Sequence, residues 1–588
     1  MNVARSLTPA GRWLTSAGIG VAILYLLSYV LLVTNIFYTV TIGLALIVAL
    51  VGATLVWRAS KTDARHGAVR LSRAQGIVGT VYIGLIVSAM VVTASVAPVF
   101  SWDASSYHLP TALMLLQGHG INGLSSDFFA VMTYPHGAEL AFAWVLTFWR
   151  SWGASLVIEI AFWIVGAVAT YDLSRLLGAA RWAAVLSGIA WLLTPIIILQ
   201  NTASYVDGMF AAAMVSSIAL FVRLWRSPTV VGLLGAGAWL AVALSIKQTA
   251  ILSSLLLIGV TFIVMIRDGQ WKKATLSVMV LIGVCALIGG FWYIRDFVLY
   301  GNPVAPFGVK AGEYILFNGP LSLNAVDRET SFQLAHPALV NLLMTWLERW
   351  PLYSYDSITA GYGLYWFAIG LPAIAAYVFS RRWTTDSIGL LIGSSVVLLV
   401  TPAFWIPRYG LAEYAVGLAV AAVAVGRFRG IGRRLLTIAA NVALLFSLIP
   451  TLSGVLTYDG NASLAAQMES YRPWAYPNPG DFRWMDGSLL TRQLRIGYLG
   501  MGSGQYLLAP LWGSQLQNYV IYVGNNIGPP TYSGTSIKYS SMMALIRVQR
   551  LSWLVVGDDS PVQEVLQRYP RVWRKVWHGP SYSVFRRV

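Results

Sequence analysis

Charged residues are scarce in this sequence. Only 11% of the 588 residues are Asp, Glu, Lys or Arg, whereas a soluble globular chain carries about 25%. Hydrophobic residues make up 57% of the chain. The deficit in charge is too large for any arrangement of water-soluble domains, so the sequence predicts a membrane protein.

Acidic residues and cysteine are also in short supply. The chain has 23 Asp and Glu against 40 Lys and Arg, a basic excess that also occurs in nucleic-acid-binding proteins. Here the basic residues lie in short clusters between apolar runs, which is typical of a polytopic membrane protein, so we expect no nucleic-acid partner. The single cysteine, Cys285, excludes a disulfide within one chain.

Many apolar runs approach the length of about 20 residues that a membrane-spanning helix needs. Residues 13–57 contain no Asp, Glu, Lys or Arg and predict two helices hinged near Thr34 and Asn35. Eleven further runs bring the prediction to about thirteen transmembrane helices. These runs are 77–98, 155–173, 182–200, 208–224, 229–246, 249–266, 274–293, 362–380, 387–405, 409–426 and 435–456.

The topology depends on segment 137–149, which is apolar but only about 13 residues long. This length is more typical of an interfacial or re-entrant segment than of a span. If it does not span, the loops on the side of the N-terminus hold twenty basic residues and the opposite loops hold seven. If it did span, that asymmetry would collapse. The positive-inside rule therefore predicts a cytoplasmic N-terminus and an extracytoplasmic C-terminus in the cell inner (plasma) membrane.

Two domains are predicted. Residues 1–456 form the transmembrane domain, with outer loops at 99–154 and 294–361. Residues 457–588 contain no apolar run long enough to span, and they alternate strand patterns, such as 518–523 and 551–556, with a helical pattern at 561–568. We expect a small extracytoplasmic α/β domain there.

The first outer loop carries Asp103, followed by Tyr107 and His108 and, further on, by His136 and Glu139. A carboxylate just past the end of a helix can act as a general base, and it can equally cap a neighbouring helix. Both interpretations stay open at this point.

A second acid, Asp207, ends the loop that begins at Gln200. Two predicted helices separate this loop from the first, so Asp207 returns to the same membrane face as Asp103. Two carboxylates on one face suit a site that activates a hydroxyl group. The alternative is that Asp207 is the N-cap of the helix that follows it.

Three basic residues lie at the outer edge of predicted helices: Lys247, Arg295 and Arg408. Each could simply extend its charge to water along an apolar stem. Together they could clamp a phosphate at the level of the lipid headgroups, where Arg binds two oxygens and Lys acts as a point charge.

The first outer loop also carries a family resemblance. Trp102-Asp103, followed by His108-Leu109-Pro110, is similar to the WD…YHLP signature of bacterial phospholipid-carrier-dependent glycosyltransferases. These are multi-span enzymes of the GT-C type, related to protein O-mannosyltransferases and lipid A aminoarabinose transferases. The similarity continues in order along the chain through Pro135-x-Gly137-Ala138-Glu139, Leu199-Gln200 and Arg295-Asp296-x3-Tyr300-Gly301-Asn302-Pro303.

The resemblance implies a GT-C-type fold and a sugar donor linked to a polyprenyl phosphate. By analogy Asp103 is the catalytic base and Asp207 the second acid, while Lys247, Arg295 and Arg408 bind the donor phosphate. Substrate binding is expected of Tyr107, His108, His136, Glu139 and Gln200. Several relatives carry a second acid where this chain has Ala104, so we expect no obligatory metal cofactor, although a divalent metal is not excluded.

The predicted activity is transfer of a sugar to a hydroxyl group of a glycan, lipid or protein acceptor by one inverting displacement. Segments 104–118 and 137–149 are expected to lie at the membrane interface and roof the donor cleft, and loop 297–361 to bind the acceptor or act as a lid. The alternative is a lipid-linked-glycan flippase or transporter. That class needs polar residues near mid-membrane and broken helices in matched halves, whereas here the charges cluster at the membrane faces.

Overall fold

The structure is a computed structural model that describes most of the chain. The transmembrane part is described over residues 8–60, 84, 88, 103–321, 337–346, 361–380 and 384–458. In the C-terminal part the described residues are 462–463, 484–485, 489, 492–500, 508–513, 515–524, 539–558, 560–579 and 582–588. The predicted span at 77–98 lies outside the described residues, apart from 84 and 88.

The described part of the transmembrane domain is almost entirely helical. Its α-helices are α1 Pro9–Val33, α2 Thr39–Ala59, α3 Leu109–Gln117, α4 Phe129–Thr133, α5 Gly137–Leu146, α6 Ser155–Leu176, α7 Arg181–Leu193, α8 Pro195–Gln200, α9 Asp207–Arg226, α10 Val230–Ile246, α11 Ala250–Arg267, α12 Trp271–Val284, α13 Phe291–Tyr300, α14 Ala338–Trp346, α15 Leu371–Phe379, α16 Thr385–Val400, α17 Leu411–Val425 and α18 Gly430–Leu456. Three π-helical turns, Ala104–His108, Cys285–Gly289 and Trp366–Gly370, extend α3, α12 and α15. Short 3₁₀ turns lie at Ile121–Gly123, Trp152–Ala154 and Pro407–Gly410, and a small hairpin pairs β1 Val309–Ala311 with β2 Tyr314–Phe317.

The polytopic helical prediction is confirmed. Eight helical segments among the described residues are long and apolar enough to cross a membrane. Four shorter apolar helices, α7, α10, α15 and α16, coincide with further predicted spans. The predicted hinge between the first two helices is present, with Asn35 in the left-handed region at φ 56°. The total of thirteen stays a prediction because 77–98 is not described.

One predicted span is wrong as a continuous helix. Segment 182–200 divides into α7 and α8 at Thr194, whose backbone is extended with ψ 123°. The reason is Pro195, which has no N–H and disfavours helical geometry in the residue before it. The freed chain makes tertiary contacts instead, since the Ile196 N–H donates to the Gly361 carbonyl at 2.8 Å.

Helix burial separates the centre of the bundle from its rim. Helix α9 is buried along nearly all of its length and is rich in Ala, Gly and Ser, the small residues that allow close packing of membrane helices. Helix α2 packs mainly against α1, and its Val and Leu side chains point outward. We infer that α9 forms the centre of the bundle and that α2 faces lipid.

The short segments of the first outer loop lie inside the protein. Helix α5 is ten residues long, too short to span, and nine of those residues are buried. It packs against α3, α6 and α10, while α3 is buried from Leu109 to Leu115. Protein covers most of these two segments, whereas Phe148 and Trp149 at the end of 137–149 are 53% and 59% exposed. Their expected position at the membrane interface stays a prediction.

The C-terminal part is a small α/β unit, as predicted. Five strands form one sheet in the order β6-β5-β7-β9-β8, parallel across β6, β5 and β7 and antiparallel beyond β7. The strands are β5 Arg495–Leu499, β6 Tyr519–Tyr522, β7 Trp553–Gly557, β8 Trp573–His578 and β9 Tyr582–Arg587. A two-residue pair, β3 Thr457–Tyr458 with β4 Ala462–Ser463, precedes them, a 3₁₀ turn lies at Ala509–Trp512, and two helices, α19 Tyr539–Val548 and α20 Val562–Gln567, accompany the sheet.

The sheet unit is fastened to the first outer loop. The Gln117 side chain donates to the Val520 carbonyl at 2.7 Å and accepts from the Val520 N–H at 3.0 Å. The Tyr498 hydroxyl donates to the Ser125 carbonyl at 3.0 Å. Gln117 thus pairs with the edge strand β6 as another strand would, and the sheet unit lies on the same side of the bundle as Asp103.

The sidedness of the termini can be measured by cysteine labelling. In a Cys285→Ser background, Val548→Cys places a thiol on the exposed surface of α19, and Asp268→Cys places one in the exposed turn after α11. We expect a membrane-impermeant maleimide to label Val548→Cys in intact spheroplasts and Asp268→Cys only after permeabilisation. The reverse pattern would contradict the predicted orientation.

The contact between Gln117 and strand β6 predicts a local change when it is removed. Gln117→Leu leaves both backbone groups of Val520 unpaired, at a cost of about 1–3 kcal/mol. We expect faster hydrogen exchange in both α3 and β6, measured by mass spectrometry. Gln549→Leu is the matched control, since it removes a bond inside the sheet unit, to Tyr519. The control should leave α3 unchanged, and equal effects on α3 would contradict the interpretation.

Candidate functional site

Asp103 and Arg408 form an ion pair at one end of the bundle. Asp103 lies at the start of the π-helical turn Ala104–His108, and Arg408 lies in the 3₁₀ turn Pro407–Gly410. The Arg408 Nη1 donates to Asp103 Oδ2 at 2.6 Å. The two side chains are 16% and 15% exposed, so the pair is partly open to solvent.

Asp207 and Lys247 form a second ion pair through Oδ1 and Nζ. Asp207 is the first residue of α9, and Lys247 follows the last residue of α10. The two helices run antiparallel and pack along their length, which brings the start of one beside the end of the other. Helix packing thus fixes this pair.

Two tyrosine rings join the two pairs. The Tyr409 ring lies 4.7 Å from Lys247 Nζ and 5.1 Å from the Arg408 guanidinium carbon, and the Tyr205 ring lies 5.1 Å from the same carbon. The guanidinium also interacts electrostatically with both carboxylates. We call Asp103, Asp207, Lys247 and Arg408 the four-charge cluster.

The capping alternative does not describe either acid. Asp207 is inside the first turn of α9, where Val206 is the N-cap residue, and no side-chain cap bond is formed. Asp103 also makes no side-chain bond to its own helix. The side chains of Lys247 and Arg408 likewise end at carboxylates. The structure thus brings together four of the predicted site residues in one charged group.

A second polar group lies deeper in the first outer loop. His108 Nδ1 and Glu139 Oε1 are 2.5 Å apart, and His136 Nδ1 lies 3.8 Å from Glu139 Oε2. The His136 Nε2–H donates to the Val131 carbonyl at 2.8 Å. All three side chains are buried, so in this structure they contact one another and are shielded from solvent.

Tyr107 lies between the two groups. Its ring packs against His108 at 4.1 Å and against Phe128 at 5.7 Å, and its hydroxyl interacts with the charges of Asp103 and Arg408. Burial, with the nearby Asp103 carboxylate, raises the pKa of the Tyr107 hydroxyl well above its usual value. Tyr107 therefore stays protonated beside Asp103.

Arg295 belongs to the second group. Its Nη2 lies 2.9 Å from Asp296 Oδ1 and its guanidinium carbon lies 5.3 Å from the Trp292 ring centre. The Trp292 ring in turn packs edge-on against His136 at 4.9 Å. Its contacts to Asp296 and Trp292, and its electrostatic interaction with His136, place Arg295 in the second group. Its role as a ligand of the donor phosphate stays a prediction.

Gln200 is also separate from the cluster. It ends α8 and is buried, and its amide atoms have no hydrogen-bond partner among the described residues. The intervening loop turns at Ser204, which has φ 54° and whose hydroxyl bonds that of Ser155 at 2.7 Å. That turn directs the chain into Tyr205 and Asp207.

Sequence reasoning missed Tyr205 and Tyr409. Both lie next to residues that it selected, two positions before Asp207 and one after Arg408. Aromatic rings are common at membrane interfaces for other reasons, so their positions alone did not distinguish them. Proximity in sequence to a selected charge was the available signal.

The described residues contain no group of three His, Cys, Asp or Glu side chains placed to hold a metal ion. That the protein needs no obligatory metal stays a prediction of the sequence.

Comparison with solved structures identifies the fold. ArnT from Cupriavidus metallidurans in the apo state aligns with a TM-score of 0.55 and 15% identity, covering 88% of this chain and 99% of ArnT. The same protein bound to undecaprenyl phosphate aligns with a TM-score of 0.52 and 14% identity, covering 88% and 98%. The chain therefore has the fold of ArnT, a multi-span helical fold as predicted. No protein-family model matches the sequence, and no curated protein matches it either.

The buried His136 predicts a pH-dependent stability. Burial, with the positive charge of Arg295, lowers the pKa of His136 well below its usual value. The unfolded chain binds a proton below about pH 6.5 and the folded chain does not, so acidification lowers the free energy of unfolding by about 1 kcal/mol per pH unit. The His136→Gln variant lacks this pH dependence. The difference in the free energy of unfolding between wild type and variant, measured by thermal unfolding in detergent, should therefore become smaller from pH 7.5 to pH 5. A difference that does not change with pH would contradict a neutral His136.

Proposed function

We propose that this protein is a membrane glycosyltransferase that moves a sugar from a polyprenyl-phosphate-linked donor to an acceptor hydroxyl at the extracytoplasmic face. The observation that carries the proposal is the four-charge cluster, in which two carboxylates and two cations meet at one end of an apolar bundle. The fold supports it, because ArnT of similar fold has been solved bound to undecaprenyl phosphate.

Lys247 and Arg408 bind the donor phosphate in this proposal. A lipid-linked donor presents its phosphate at the membrane edge, and both cations follow or begin apolar helices there. Arg can hold two phosphate oxygens, whereas Lys supplies a point charge. The rings of Tyr205 and Tyr409 flank the cations and offer apolar faces to the sugar.

Asp103 is the proposed base. Its Oδ2 accepts from Arg408, and its Oδ1 has no hydrogen-bond partner among the described residues. The acceptor oxygen attacks the anomeric carbon as its proton passes to Asp103, and the bond from that carbon to the phosphate oxygen breaks with its electron pair. One such displacement inverts the anomeric centre. Cations near the departing phosphate stabilise the charge that develops on it.

Asp207 and the second polar group have supporting tasks in this mechanism. Asp207 holds Lys247 at the cluster. The buried contacts among His108, Glu139 and His136 fix the loop that carries Asp103, and Arg295 completes that group. The proposed reaction needs no metal, because Lys247 and Arg408 meet the phosphate charge; an assay in EDTA tests this part.

Asp103→Asn tests the proposed function. Membranes and purified protein in nanodiscs are incubated with a panel of radiolabelled polyprenyl-phosphate sugars and acceptor lipids or glycans. We expect wild type to release polyprenyl phosphate and move one label, and Asp103→Asn to reduce that rate by roughly 10²–10⁴-fold, the usual contribution of a general base.

Asp268→Asn is the matched control, since it makes the same change in an exposed turn at the other end of the bundle, and it should transfer at the wild-type rate. A folded Asp103→Asn protein with full activity would overturn the assigned base. A flippase or transporter, the alternative that the sequence left open, would move the intact lipid-linked sugar without releasing polyprenyl phosphate.

A further inference from the structure

The proposed base and the proposed phosphate ligand are bonded to each other. Arg408 donates to Asp103 at 2.6 Å, so neither group is fully available for its own task. A structure poised for reaction would hold Arg408 on the phosphate and leave Asp103 open to the acceptor. The contact as it stands is therefore a closed arrangement of the site.

We propose that the donor phosphate opens this contact: it takes Arg408 from Asp103, and Asp103 becomes free to accept the acceptor proton only when a donor is in place. This inference rests on the proposed function and adds regulation to the same site. It predicts an ordered reaction in which the donor binds before the acceptor is deprotonated.

The geometry of the pair suits an exchangeable contact. Arg408 reaches Asp103 through a single Nη1 to Oδ2 bond, in a region partly open to solvent. The Arg223–Asp172 pair makes more bonds: Arg223 donates to both oxygens of Asp172 and to the Thr8 hydroxyl. The Asp172 carboxylate there is only 1% exposed. Each additional bond raises the cost of separation, and the Asp103 pair lacks them.

The surroundings of Arg408 allow its partner to change without moving the guanidinium far. The rings of Tyr205 and Tyr409 lie on it at 5.1 Å each, and such cation–π contacts persist whichever anion is bound. Among the described residues its Nη2 has one long contact, 3.4 Å, to the Tyr409 hydroxyl. Arg408 therefore has further N–H groups to offer to a phosphate that arrives beside it.

Charge balance favours the exchange as the reaction proceeds. Two aspartates and two cations give the four-charge cluster a net charge of zero. The phosphodiester of the donor carries one negative charge, and the departing phosphate monoester carries more, because its second pKa is near 6. When Asp103, already released by donor binding, takes the acceptor proton, it loses its charge and no longer competes for Arg408. Arg408 thus stays on the phosphate as the phosphate charge grows.

A double-mutant cycle on ligand binding tests the exchange without requiring turnover. The probe is undecaprenyl phosphate, and its dissociation constant is measured for wild type, Asp103→Asn, Arg408→Met and the double variant. Because Asp103 competes for Arg408, we expect Asp103→Asn to bind the probe roughly three- to thirtyfold more tightly, the range of coupling between contacting charges. Arg408→Met should bind it more weakly.

The double variant distinguishes competition for Arg408 from direct charge repulsion between Asp103 and the phosphate. If Asp103 acts through Arg408, the gain from Asp103→Asn disappears in the Arg408→Met background. If Asp103 only repels the phosphate, the gain persists there, and the exchange is overturned. Unchanged or weaker binding by Asp103→Asn also overturns it. Asp386→Asn is the control acid, because it pairs with Arg226, distant in sequence from the cluster, and should bind as wild type does.

Failure of the exchange and failure of the function give different results. If wild type transfers label but the double-mutant cycle shows no coupling between Asp103 and Arg408, the glycosyltransferase proposal stands and the exchange is refuted. If wild type neither binds undecaprenyl phosphate nor transfers any label, both proposals are refuted. Thermal unfolding checks each variant, and Asp103→Ala and Arg408→Gln replace any first variant that does not fold.

Discussion

The pairing of charges at one end of an apolar bundle is the constraint on which this site depends. Removing one ion from water costs several kcal/mol unless a partner of opposite charge compensates it. Asp103 with Arg408 and Asp207 with Lys247 meet that requirement. Since the partners come from different helices and turns, satisfying the charges also fixes where those helix ends lie.

The first outer loop connects the four-charge cluster to the rest of the molecule. It begins at Asp103 in the four-charge cluster, is held midway by the sheet unit through Gln117, and ends with Glu139 against His108. A loop fastened at three places keeps its carboxylate at a defined position, as a site that acts on a hydroxyl needs. The C-terminal sheet is therefore part of the support of the site.

The apolar runs of the sequence predicted where the helices lie. Thirteen apolar runs were expected, and every run within the described residues falls on helices, because the cost of exposing backbone polar groups to lipid leaves few alternatives. The exception arose where a distant residue competes. The break at Pro195 is supported by the Gly361 carbonyl, which is remote in sequence.

The sequence alone predicted a membrane protein with a mixed α/β C-terminal unit, and it placed Asp103 and Asp207 on one face. These predictions need only the hydropathy of each segment and the number of spans between two loops, which are read directly along the chain. Only the tertiary structure decided the partners. Arg408 reaches Asp103 across 305 positions, Lys247 takes Asp207, and Arg295 is directed to the buried group around His136. In the sequence, Lys247, Arg295 and Arg408 all lie at the edge of a predicted helix, so nothing distinguished their partners. Helix packing did so, because an ion pair forms only between side chains that packing brings within a few ångströms.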